Sequence, residues 1–199
     1  MRVMAQIAAD DVAPQRWRNG GGWTRELLTW PPPPAAWQLR ISLATIDAAG
    51  PFSVFPGVMR TLALVSGAGL LLNIDGNERR LYPGADPVQF AGAAAVQAEP
   101  LAGPSVDLNL MTSAGRGELL RAANVATWHS PCPQRGLYSC VAGTLTAGDE
   151  SLAVAQGSLI WLADAAGLTL RFAPATTAAA GSAAAATAAA AWWLGYAPT

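Results

Sequence analysis

Residues 37–46 alternate apolar and polar. Trp37, Leu39, Ile41 and Leu43 fall on one side, and Gln38, Arg40 and Ser42 on the other. A period of two is the mark of a half-buried strand. Residues 106–111 repeat it, with Val106, Leu108 and Leu110 opposite Asp107, Asn109 and Met111. Short strand-like runs follow the same style at 61–65, 69–74, 80–82, 87–90, 136–141, 143–146, 151–155, 159–162, 168–172 and 192–196. Gly, Pro, Asp and Asn separate them, and Asp75-Gly76 is a hairpin turn signal. Turn signals at this spacing predict an all-β, antiparallel sandwich or barrel.

The pattern also repeats. Val65-Ser66-Gly67 leads to a turn at Gly76, then Leu81-Tyr82-Pro83-Gly84, then a strand at 88–90. Val141-Ala142-Gly143 leads to a turn at Gly148-Asp149, then Val154-Ala155-Gln156-Gly157, then a strand at 159–162. Two similar β units are expected, 1–115 and 116–199, with a seam near 113–120. Pro31 to Pro34 reads as a stiff extended connector. Residues 173–191 are nearly all Ala and Thr, without an apolar face to anchor a helix, and read as a long surface loop.

Composition narrows the classes. A chain of 199 residues is one ordinary domain or two small ones. Its hydrophobic fraction of 52% includes 43 alanines, so the larger apolar side chains amount to an ordinary core. No run approaches the ~18 apolar residues of a membrane span. Twelve basic residues against thirteen acidic ones argue against nucleic acid. All twelve are arginine, which excludes Schiff-base lysine chemistry and a P-loop lysine. His129, Cys132 and Cys140 do not follow zinc spacing, so neither a metal nor a cofactor is expected. The seven-residue apolar run before Asp10 is too short for a secretory signal. The expectation is a cytoplasmic monomer or homodimer with free thiols.

Candidate chemistry sits where polar residues interrupt this pattern. Gly20-Gly21-Gly22 permits close backbone approach and is flanked by Asn19, Thr24, Arg25 and Glu26. It is either a tight rim loop with Arg25 and Glu26 solvated, or a ligand contact. Arg60 opens an otherwise apolar strand after the turn-rich residues 50–59. It can clamp a carboxylate through two hydrogen bonds, or pair with Asp107 or Glu99. Arg40 and Asn109 become pocket residues if their faces point inward. His129 could serve as an acid or base only with a partner within reach.

Four segments together are distinctive. Trp17-Arg18-Asn19-Gly20-Gly21-Gly22-Trp23-Thr24-Arg25-Glu26 resembles the W-K-N-G-G-G-x-T-R-E signature of the HutD/Ves family. The stretch from Gly50 through Pro51, Phe52, Ser53, Phe55, Pro56 and Gly57 to Arg60 resembles its G-P-F-S-x-F-P-G-x-x-R segment. Phe90-Ala91-Gly92 and Asp107-Leu108-Asn109-Leu110-Met111 resemble its F-x-G and D-x-N-x-M segments. Arg18 replaces a lysine with retention of charge. The resemblance implies a bicupin, two cupin-type jelly-roll-like barrels in one chain, and an association with histidine-utilisation genes. Most cupins bind metal through histidines, but residues 67–90 contain none, so that chemistry does not carry over. What remains is a metal-independent binder of a small anionic metabolite, a carboxylate or formyl compound such as N-formylglutamate or formate. Arg60 would pair with the carboxylate. Asn19 and Asn109 would orient polar groups, and Arg40, Ser42 and Met111 would line the wall. The second barrel would be structural. Two other readings are a metal-free enzyme using Glu26 or His129, and an interaction module presenting the eight tryptophans.

Overall fold

The computed structural model describes residues 2–122, 127–163, 165–175 and 191–199. Its first strands are β1 (Arg2–Ala8), β2 (Gln15–Arg16), β3 (Gly22–Trp30), β4 (Leu39–Ile46), β5 (Gly50–Pro51) and β6 (Met59–Ser66). Next come β7 (Leu70–Ile74), β8 (Asn77–Leu81), β9 (Val88–Ala91), β10 (Val96–Pro100), β11 (Ser105–Thr112) and β12 (Arg116–Arg121). The last are β13 (Thr127–Trp128), β14 (Gln134–Ser139), β15 (Gly143–Ala147), β16 (Glu150–Val154), β17 (Ser158–Ala163), β18 (Leu170–Pro174) and β19 (Ala191–Ala197). Apart from one 3-10 turn at Ala9–Asp11, the regular structure described is all strand, paired antiparallel.

Four sheets result. Their strand orders are β5-β10-β7-β8, β2-β3-β4-β11-β6-β9, β1-β17-β14-β19-β12 and β13-β18-β15-β16. Within them the order β4-β11-β6-β9 matches β12-β19-β14-β17, and β5-β10-β7-β8 matches β13-β18-β15-β16. The repeat read in the sequence is therefore a repeat of eight-strand topology. Each copy sends a hairpin, β7-β8 or β15-β16, out to its smaller sheet and returns beside the strand it left. At the first hairpin Asp75 and Gly76 both have positive φ, 49° and 85°, as a tight twisted turn requires.

Alternation sorts the strands into three apolar cores. Leu62, Leu64, Leu70, Leu72 and Val96 fill the space between the first two sheets. Leu137, Leu145, Leu162, Phe172 and Trp193 do so between the last two. Leu39, Ile41, Leu43, Leu108 and Leu110 meet Leu159, Trp161, Trp192 and Tyr196 in a seam that joins the halves. The sheets thus stack in four layers, the two larger ones back to back.

Several expectations change. The Gly-rich segment leads directly into β3, and Arg25 is half-buried, its Nε donating to the Ala9 carbonyl at 3.0 Å. Residues 116–120, read as part of the seam, lie in edge strand β12. β1 pairs with β17 and so belongs to the sheets of the second half rather than to a unit spanning 1–115. Of the eight tryptophans Trp128, Trp161, Trp192 and Trp193 are fully buried, and Trp17, Trp23, Trp30 and Trp37 are half-buried. Of the Ala-rich stretch, Ala173 and Pro174 extend β18 and Ala191 opens β19; residues 176–190 lie outside the described residues. Cys132 and Cys140 are free thiols.

Candidate functional site

Strand register assembles the site. Across β4, β11 and β6, Arg40, Met111 and Arg60 lie abreast. The next inward row is Ser42, Asn109 and Leu62, and the next is Ala44, Asp107 and Leu64. Opposite residues on one face of antiparallel strands sit roughly 4.5–5.5 Å apart. Leu39, Ile41, Leu108 and Leu110 take the other face into the seam, which turns the polar interruptions away from it.

From these rows Arg40, Met111, Arg60, Ser42, Asn109 and Ala44 floor a cavity of about 500 Å3. Six of the seven residues expected from the sequence line it: Asn19, Arg40, Ser42, Arg60, Asn109 and Met111. Glu26 does not line it. Its Oε2 accepts from Arg40 Nε at 2.8 Å, which holds the Arg40 side chain in place. Asn19 is hydrogen-bonded at the cavity rim. Its Oδ1 accepts from the Gly21 N–H at 3.0 Å and its Nδ2 donates to the Pro51 carbonyl at 3.4 Å, so it ties the glycine loop to the opposite rim. The sequence reading missed the aromatic wall of Trp17, Phe52 and Phe55 and the rim arginines Arg16 and Arg18. All of these but Arg16 lie within the quoted motifs, but turn-rich loops carry no period to show which way they face. Trp17 is fixed by donation from Nε1 to Thr24 Oγ1 at 2.8 Å and by an edge-on contact with Phe52. His129 lies elsewhere, beside Thr169, and does not reach this cavity.

Arg60 is the centre of the site. It is 7% exposed, and its guanidinium lies 4.9 Å from the Phe52 ring, 5.1 Å from Phe90 and 5.9 Å from Phe55. Nη2 donates to Asn109 Oδ1 at 2.8 Å, Nη1 makes a long contact with the Ser53 carbonyl at 3.5 Å, and Nε has no partner. Asn109 Nδ2 donates in turn to Asp107 Oδ1. Asp107 is fully buried and its Oδ2 has no partner. Burial pushes the Asp107 carboxyl up to about 7, against the pull of Arg60 and the Asn109 hydrogen bond. Burial also lowers Arg60 to about 10, opposed by Asp107 and assisted by Arg40, so Arg60 stays charged at neutral pH.

Arg16, Arg18, Arg40 and Arg60 all line the cavity, and among the described residues no Asp, Glu, His, Cys or Tyr does. Among the described residues no cluster of three or more His, Cys, Asp or Glu is arranged to hold a metal ion. A cationic, aromatic-walled cavity of this size suits a small anion with some apolar body.

A family model described as HutD matches residues 9–180. The chain belongs to the HutD family. Protein Ves of Citrobacter koseri (strain ATCC BAA-895 / CDC 4225-83 / SGSC4696) is 33% identical to this HutD-family chain over 143 residues, 71% of the chain and 75% of the relative. The structure of HutD from Pseudomonas fluorescens SBW25, in a formate condition, matches with a TM-score of 0.75 at 23% identity over 98% of both chains. A Cupin 2 conserved barrel domain protein from Leptotrichia buccalis matches at a TM-score of 0.53 and 10% identity, again over 98% of both. These two likenesses establish a cupin-like fold.

Proposed function

We propose that this HutD-family chain is a metal-independent binding protein for a small carboxylate or formyl compound, with N-formylglutamate and formate as first candidates. Through that ligand it would modulate histidine utilisation. One observation carries the reading. Arg60 is buried at the cavity floor within an aromatic surround, and among the described residues it reaches a carboxylate only through Asn109. A buried guanidinium is costly unless a partner completes it, and a ligand anion entering from the cavity does so. Among the described residues no Asp, Glu, His, Cys or Tyr lines the walls, and the buried Asp107 lies behind Asn109, which favours binding over catalysis. The second eight-strand unit is then scaffold.

The test is a thermal-shift titration of the pure protein against N-formylglutamate, formate, urocanate, glutamate and histidine. Ligand at one hundred times its Kd stabilises by about 2.7 kcal/mol. For a chain of this length that raises Tm by roughly 5–10 °C. The expected result is a saturable shift with one carboxylate that Arg60→Ala abolishes. No shift with any compound at millimolar concentration sinks the reading.

A further inference from the structure

The cavity floor contains more than an anion receptor needs. Beneath Arg60 the chain Arg60–Asn109–Asp107 ends at a carboxylate oxygen, Oδ2, that is buried and has no partner. We propose that the site binds its anion together with a proton, the anion on Arg60 and the proton on Asp107 Oδ2. This rests on the anion-binding reading and adds how that binding is regulated.

The argument is one of charge. In the empty site Asp107 is the negative group that acts on Arg60. When a ligand carboxylate takes that role, two negative charges face one guanidinium, and one of them sits on a carboxylate with no exposure to solvent. Like charges at close quarters favour protonation of the group that is worse solvated, which is Asp107. A proton from solvent on Oδ2 restores neutrality: arginine cation plus aspartate becomes arginine cation plus ligand anion plus neutral acid. Asn109 keeps donating to Oδ1 in both states, so the relay does not have to rearrange.

The surroundings leave Asp107 as the titrating group. From β6 it faces Leu64 and from β4 it faces Ala44, while Arg60, two rows away, acts on it by charge and through Asn109. Arg40, also on β4, is bonded to Glu26 of β3. The facing small sheet brings Leu70, Leu72, Val96 and Ala98 into that core, while its charged Glu78, Arg79, Arg80 and Glu99 are exposed. Arg16 and Arg18 are exposed at the mouth. With burial already holding the Asp107 carboxyl near 7, neutral pH lies on the slope of the transition.

The experiment measures binding of N-formylglutamate and of formate at pH 6 and pH 8, with proton uptake read by pH-stat in unbuffered solution. The expected result is about tenfold weaker binding at pH 8, with nearly one proton taken up per ligand bound there. Asp107→Asn keeps an acceptor for Asn109 and mimics the neutral acid. It should bind about equally at both pH values, and at pH 8 more tightly than the unaltered protein. Binding by the unaltered protein without proton uptake overturns this proposal and leaves the anion site standing. An Asp107→Asn variant that keeps the full pH dependence does the same. No binding of either anion at either pH overturns both. The unaltered protein alone decides the matter if the variant does not fold.

Discussion

At the scale of single residues, Asp107 ties the candidate site to the stability of the fold. The carboxyl protonates near 7 in the folded chain and near 4 in an unfolded one. Between those values the folded state binds more protons. The stability this group contributes is therefore present below about pH 4 and is lost as pH rises to about 7. Chemical denaturation of the unaltered protein and of Asp107→Asn from pH 5 to 8 isolates the effect. The stability difference between the two should move in favour of the variant as pH rises, by an amount of order a few kcal/mol. A difference that does not change with pH would contradict the burial of Asp107 seen here.

At the scale of elements, the three consecutive glycines do different work. A Cβ on Gly22 would stand 2.2 Å from the Thr45 carbonyl and 3.2 Å from the Trp17 ring. One on Gly21 would come no closer than 3.5 Å to anything. Gly22→Ala should thus destabilise by about 1–3 kcal/mol and weaken ligand binding by displacing Trp17, whereas Gly21→Ala should change stability by less than about 0.5 kcal/mol. Urea denaturation of both variants checks this.

The same loop marks where sequence reading succeeds and fails. β4 alternates from Leu39 to Leu43 and β11 from Val106 to Leu110, so both their strand character and their inward polar residues could be read directly. β3 carries a register shift between Glu26 and Leu28, which puts Leu27 and Leu28 both against the seam core and destroys the period of two. β12 looked like a linker because glycine and charged residues fill an edge strand as readily as a loop. Arg60 and Asn109 stood out as polar residues in apolar runs. Phe52 and Phe55 did not, because aromatics in a turn-rich stretch look like turn packing.

At the scale of the whole molecule, one topology serves two ends. Arg60 is the second residue of β6, and Arg135 is the second residue of the matching strand β14; both are buried. Where β11 offers Asp107, Asn109 and Met111 beside Arg60, β19 offers Ala191, Trp193 and Gly195 on the matching inward face. Trp193 stacks on Trp128 at 5.5 Å, and the Trp128 ring lies 5.5 Å from the Arg135 guanidinium. Indole fills the space that is open in the first unit. Trp193→Ala should therefore cost about 3–5 kcal/mol while leaving anion affinity in the first unit unchanged, as calorimetric unfolding and ligand titration would report.

The pairing of β1 with β17 sets an order of events during synthesis. Ala8 finds its partner in Ser158, about 150 residues further along the chain. At roughly 5–20 residues per second the ribosome needs about 8–30 s to make that partner. Throughout that interval the strands of the first unit can pair among themselves, but β1 cannot close on its native edge. β1 is thus fastened late, and it seals its sheet only after β2 to β16 have been made.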